Sequence, residues 1–289
     1  MGHMMDLGAY INELGTKARR AAIEMARVDS ATKRDALLRI AEAVEKHSGR
    51  ILESNARDLA AGKAAGLTQA MLDRLTLTEK RIVTMAHAIA EIADQPDPVG
   101  EIEHSVIRPS GIRVGRMRVP IGVIGIIYEA RPNVTTDAAA LCLKAGNACV
   151  LRGGKEALHS NVALARVVSE TAAAAGLPPD AVQLVSVTDR ETVSLMAQAE
   201  GLIDVIIPRG GEALIRSVVA AAKVPVIKHY KGVCHTFVDA DADLDMARRI
   251  CFNAKVQRPG VCNAMETLLV HEKVAEAFLT AAASIGNLS

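Results

Sequence analysis

The stretch PIGVIGIIYEARPNVTTDAAALCLKAGNACVLRGG, residues 120–154, decides the fold. Residues 121–128 and 147–152 are short, β-rich runs dominated by apolar residues. That pattern belongs to strands covered on both faces, because a strand with one face in water alternates apolar and polar side chains. A helix-length segment separates the two runs, and the same alternation continues down the chain. AVQLVSV (181–187), IDVII (203–207), VPVI (224–227) and VCHTFV (233–238) are further β-rich runs, with helical stretches among them. Strand–helix alternation of this kind predicts an α/β fold built on a doubly wound parallel sheet with helices on both faces.

Working outward, residues 5–98 read as a helical N-terminal part. Ile82, Met85, Ile89 and Ile92 recur at three- and four-residue steps and mark one apolar face. Thr76 and Glu79 have the spacing of a capping box at that helix's start, and Pro96 and Pro98 lie beyond its end. Residues 99–119 read as two antiparallel strands around Pro109-Ser110-Gly111. Residues 120–240 form the expected sheet core. Residues 241–289 should supply a helix, a strand at METLLVH and a last helix reaching Ile285.

The net charge of +1 gives no electrostatic reason to expect nucleic acid or a membrane surface as a partner. No apolar stretch reaches the roughly 18 residues that span a bilayer. The start, Met1-Gly2-His3-Met4, reads as an expression-vector remnant with no signal peptide behind it. The five cysteines are odd in number and lack framework spacing, so reduced thiols and a cytoplasmic location are expected. No Cys or His pair has zinc-ligand spacing, and no metal is expected.

Cys142, Cys149, Cys234 and Cys251 lie within apolar helix or strand patterns and read as core residues. Cys262 follows Arg258-Pro259-Gly260 and precedes Asn263, in a polar loop where a thiol can meet a substrate. Gly153-Gly154-Lys155 fails as a phosphate loop, because Glu156 stands where Ser or Thr should and no Gly lies five residues before Gly154. The Gly-x-Gly-x-x-Gly fingerprint is missing after the first strand of the core. Gly210 and Gly211 sit between a strand and a helix, where backbone N–H groups hold pyrophosphate; a tight left-handed turn accounts for them equally well. Arg152 and Lys155, at the end of a strand, suit the 2′-phosphate of NADP, or are solvated loop charges.

At this point the residues resemble a known family. FNAKVQRPGVCNAMETLLVHEKVAEAFL (252–279) resembles the nucleophile segment of the aldehyde dehydrogenase superfamily. With residues 118–157 and IPRGGEALI (207–215), it resembles the gamma-glutamyl phosphate reductase branch of that superfamily, over essentially the whole chain. The resemblance implies a Rossmann-like NADP-binding domain with the helical N-terminal part, oligomerisation strands at 99–119, and a catalytic domain begun at 241–289. It implies NADPH-dependent reduction of L-glutamyl 5-phosphate through a cysteine thioester, a step of proline biosynthesis, in a homo-oligomer when full-length. Cys262 is then the nucleophile and Asn133 an oxyanion donor, although Asn133 by itself reads as a helix cap. Arg152 and Lys155 match the adenosine-ribose site, and Gly210 and Gly211 the pyrophosphate turn. Arg131 and Arg258 are assigned to phosphate recognition, with ordinary surface arginine as the alternative for each.

Two departures bear on the expectation. Where the oxidative members carry a general-base Glu, this chain reads IKHYKGVCH, with His229 near that place and expected to be structural. An acyl-phosphate reductase has no need of a base that activates water, so the departure favours reduction over an oxidative NAD-dependent enzyme. The family's chains also run well past Ser289. The catalytic domain is therefore expected to be incomplete and the 289-residue chain poorly active, or only nucleotide-binding.

Overall fold

The computed structural model describes residues 5–230, 232–259 and 261–283. The Met1-Gly2-His3-Met4 start, Lys231, Gly260 and the expected helix end at Ile285 lie outside them. The chain divides at Lys228/His229 into two compact units.

The first unit begins with five helices: α1 (Leu7–Met25), α2 (Ser30–Lys46), α3 (Ser48–Ala64), α4 (Gln69–Leu75) and α5 (Glu79–Asp94). Short side chains start several of them. Asp6 accepts from the Ala9 N–H, Asp29 from Thr32 and Thr78 from Arg81, satisfying donors that have no partner inside the helix. The cap of α5 is Thr78 rather than Thr76. Thr76 instead closes α4, its hydroxyl donating back to the Leu72 carbonyl, so the expected capping box does not form. The helix–helix turn is too short to leave Thr76 outside α4.

Strands β1 (Ile102–Ile107) and β2 (Arg113–Met117) pair antiparallel, as expected for 99–119. Ile102, Ile107 and Met117 are more than half exposed, so the hairpin has no covered apolar face among the described residues.

The sheet follows: β3 (Val123–Tyr128), α6 (Asn133–Lys144), β4 (Ala148–Arg152), α7 (Leu158–Ala174), β5 (Val182–Leu184), α8 (Glu191–Ala197), β6 (Val205–Arg209) and α9 (Glu212–Ala221). The four strands are parallel in the order β5-β4-β3-β6. Every residue of β3 and β4 is buried, as the unbroken apolar runs require. Helices α1 and α6 both pack on β3 and β4 and so cover opposite faces, with α7 beside α6 and α8 beside α1. VPVI contributes only a single bridge, Val226 to Ile206, because Pro225 has no N–H for a ladder.

A polar knot fixes the entry to the sheet. Asp204 accepts from the Val123 N–H at 2.7 Å and from both Arg19 terminal nitrogens at 2.7 and 2.9 Å. Gly122 passes over this carboxylate with φ 125°, and a Cβ there would lie 2.2 Å from Asp204 Oδ2, so only glycine fits.

In the second unit, β7 (Cys234–Val238) pairs parallel with β8 (Met265–Val270), with α10 (Leu244–Val256) between them and α11 (Glu272–Ala283) after. Thus 233–238, expected to extend the large sheet, belongs to a separate one. Its burial alternates, unlike that of β3 and β4. Val238, Cys251, Met265 and Phe278 form the buried centre of this unit.

Lys33 on α2 is 1% exposed and pairs with Asp97 at 2.6 Å. Burial opposes ionisation of Asp97, but the Lys33 ammonium and the Val99 N–H outweigh it and hold the carboxyl below its ordinary 3.8. A depressed carboxyl pKa contributes stability above the unfolded value and loses it as pH falls through the folded one. Asp97→Ala should cost about 3–5 kcal/mol in urea unfolding at neutral pH, since it strands a buried ammonium. The deficit relative to wild type should shrink as acid protonates Asp97; a deficit that grows instead would overturn this account.

Candidate active site

At the carboxyl edge of the sheet, where β3, β4 and β6 end at Tyr128, Arg152 and Arg209, a cleft of about 350 Å³ opens, lined by Tyr128, Arg152, the loops after β3 and β4, and Leu214 of α9. Open parallel sheets place ligands at this edge, where loops diverge and helix N-termini point inward. Tyr128, 1% exposed, lies against the floor, its hydroxyl 2.7 Å from Thr135 Oγ1, which in turn donates to Asn161 Oδ1. Burial raises the phenol well above its ordinary pKa, so Tyr128 is a neutral wall of the cleft.

Two helix N-termini reach this edge after β4 and β6. That of α7 is closed from within, because buried Asp58 of α3 accepts from the His159 and Ser160 N–H groups and from the Ser160 hydroxyl. The other, α9, starts at Gly211, with φ −67° and ψ 161°. Neither Gly210 nor Gly211 has a positive φ, which removes the left-handed-turn reading. What these glycines allow is close approach: the Gly211 N–H donates to Glu129 Oε1 at 2.8 Å, and a Cβ on Gly210 would lie 2.7 Å from the same side chain. The Glu129 carboxylate therefore takes the N–H that the sequence reading gave to a pyrophosphate.

The two sequence-assigned cations differ sharply. Lys155 is exposed at the rim of the cleft. Arg152 is not a solvated loop charge. It is 8% exposed, and its guanidinium donates to the Gly153 carbonyl at 3.0 Å and to the Thr188 and Asp189 carbonyls at 3.3 and 3.4 Å. Its Nε–H is buried without a partner. Burial, the largest influence, lowers its pKa, and the neighbouring Glu156 carboxylate opposes that. Arg131 lines the same cleft, as do Arg74, Glu129 and Arg190, which sequence reasoning did not single out. The signal for Arg190 was its place just beyond the β5 run, the same position relative to its strand that drew attention to Lys155.

Asn133 is the first residue of α6 and makes no capping bond, contrary to its residue-only reading. Its amide donates to Asp137 Oδ2 at 2.9 Å, leaving a second amide hydrogen uncommitted. Burial raises the Asp137 pKa, with the Asn133 and Thr136 hydrogen bonds opposing.

In the second unit Cys262 is the exposed cysteine of the five. Ala264 and Met265, both 7% exposed, anchor the loop at the start of β8, and a Val261 N–H to Arg258 carbonyl bond of 3.3 Å closes the turn before it. Cys234, expected in the core, is half-buried, and its thiol donates to the Cys262 carbonyl at 3.3 Å. Arg258 and His229 are exposed. Limiting iodoacetamide on the native protein should modify Cys262 first, with Cys142, Cys149 and Cys251 reacting only after denaturation. Peptide mass spectrometry reads this, and native labelling of Cys142 or Cys149 at a similar rate would contradict the packing.

Residues 8–285 match the aldehyde dehydrogenase family. The gamma-glutamyl phosphate reductase of Moorella thermoacetica is 58% identical over 280 residues, covering 97% of this chain and 67% of that protein. That of Geobacter metallireducens is 56% identical over 275 residues, covering 95% and 66%. The crystal structure of gamma-glutamyl phosphate reductase from Thermotoga maritima superposes with a TM-score of 0.87 at 41% identity, covering 95% of this chain and 66% of that one. The chain thus spans about two thirds of the length of these relatives. With the parallel sheet, the cleft at its edge and the cysteine loop alongside these matches, the chain belongs to the aldehyde dehydrogenase family, in its gamma-glutamyl phosphate reductase branch.

Proposed function

We propose that the protein reduces L-glutamyl 5-phosphate to L-glutamate 5-semialdehyde and phosphate with NADPH, through a thioester on Cys262. The observation that carries the reading is the single exposed thiol, held on a loop anchored by β8, in a chain whose relatives bear the name of that reductase.

Cys262 Sγ attacks the acyl carbon as its proton is lost, and the C–O bond to phosphate breaks. Arg131 and Arg258 are assigned to the leaving phosphate, which each can grip through two parallel N–H donors. The uncommitted Asn133 amide hydrogen is assigned to the tetrahedral oxyanion, with Asp137 fixing the orientation of that amide. When bound, the nicotinamide supplies a hydride to the thioester carbon. The resulting hemithioacetal takes up a proton, breaks its C–S bond, releases the aldehyde and restores the Cys262 thiol. Lys155, Gly210 and Gly211 are assigned to the nucleotide's phosphates, and Arg152 to the loop that borders them. Hydrolysis of the thioester would waste an activated acyl group, which agrees with His229 where an oxidative enzyme carries a carboxylate base. The apolar, exposed β1–β2 hairpin is assigned to self-association.

The reverse direction offers the cleaner assay. With the semialdehyde and NADP, cofactor reduction should require inorganic phosphate, and Cys262→Ser should lower the rate by at least about a thousandfold. Asn133→Ala should lower kcat by about a hundredfold. Equal reduction without phosphate would replace this reading with aldehyde oxidation.

A further inference from the structure

Several arginines of the first unit are paired with carboxylates, among them Arg19 with Asp204, Arg34 with Asp94 and Arg81 with Asp73. The cleft gathers cations that are not so paired. The charged groups of Arg74, Arg131, Lys155 and Arg190 line it without a hydrogen bond or ion pair among the described residues. The chain carries 34 basic and 33 acidic residues, so carboxylates are not scarce. Of the two in the cleft wall, Glu129 is committed to the Gly211 N–H, and Glu156 lies beside the Arg152 guanidinium. The uncompensated charge therefore rests on the other cations.

Arg152 explains how one of them is placed. Its fork holds the Thr188 and Asp189 carbonyls, which immediately precede Arg190. From the other side, the Thr192 hydroxyl donates to the Asp189 carbonyl at 2.6 Å and the Glu191 N–H to Asp189 Oδ1 at 2.9 Å. The turn carrying Arg190 is thus braced on both sides of that residue, by a guanidinium whose two terminal nitrogens are engaged by backbone carbonyls.

We propose that Arg190, with Lys155, binds the 2′-phosphate of the nucleotide and sets the preference for NADPH over NADH, while Arg152 is a positioning residue that aims Arg190. The inference rests on the nicotinamide-nucleotide reading above and changes which side chain does the selecting. A 2′-phosphate is a compact dianion that needs exposed donors of its own, apart from the pyrophosphate at the start of α9. Arg190 and Lys155 meet that need with exposed, uncommitted charged groups, whereas Arg152 is buried with both terminal nitrogens on backbone carbonyls.

The test is equilibrium titration with NADPH, NADH, 2′,5′-ADP and 5′-AMP, on the wild-type chain and on Arg190→Gln and Arg152→Lys, with circular dichroism confirming that each variant is folded. Arg190→Gln should weaken NADPH and 2′,5′-ADP by about tenfold or more and NADH and 5′-AMP by less than about twofold. Arg152→Lys keeps the charge but cannot span three carbonyls, so it should lose the same preference. Unchanged NADPH affinity in Arg190→Gln, or equal weakening of both nucleotides, overturns the assignment to Arg190. A retained preference in Arg152→Lys overturns the bracing role. If the wild-type chain binds none of the four probes, the nucleotide reading itself falls instead.

Discussion

Complete burial of β3 and β4 is the constraint from which the rest of the first unit follows. A strand covered on both faces must satisfy its N–H and C=O groups in the ladder and carry apolar side chains throughout. Polar chemistry is thereby driven to the two ends of the sheet. At the entry it takes the form of the Asp204 knot with Arg19 and the Val123 N–H. At the exit it becomes the cleft, where Arg152 is the last residue of its strand and Glu129 follows the last of its own. Asp58 occupies the start of α7 there, and Glu129 takes the Gly211 N–H at the start of α9.

Much of this was legible in the chain. The runs that became β3 and β4 were readable because double-sided burial removes alternation, and the stripe Ile82, Met85, Ile89 and Ile92 became the buried face of α5. The reading stopped short where a local pattern has two tertiary outcomes. CHTFV is compatible with any neighbouring strand, and only its partner β8 decides that it leaves the large sheet. Thr76 and Thr78 are both good caps, and the choice between them depends on where α4 ends.

The site divides the same way. Cys262 stood out because its neighbours are polar and a loop thiol is unusual, and it is exposed. Arg152 was assigned by its position at a strand end, but its role depends on carbonyls 36 and 37 residues away, which no spacing rule reveals. Net charge was silent about the cleft as well. A chain at +1 can concentrate uncompensated cations in one concavity when its other charges pair locally along helices, as Arg57 with Glu53 and Arg166 with Glu170 do.

Tyr128 gives the cleft an optical identity. The chain has no tryptophan and three tyrosines, so its ultraviolet emission comes from so few phenols that the one on the cleft floor is a large share of the signal. Burial raises the pKa of that phenol and so favours its neutral, emitting form. Tyrosine emits where a reduced nicotinamide absorbs. The wall that shapes the cavity is therefore also a donor for energy transfer, able to report occupancy without any attached dye.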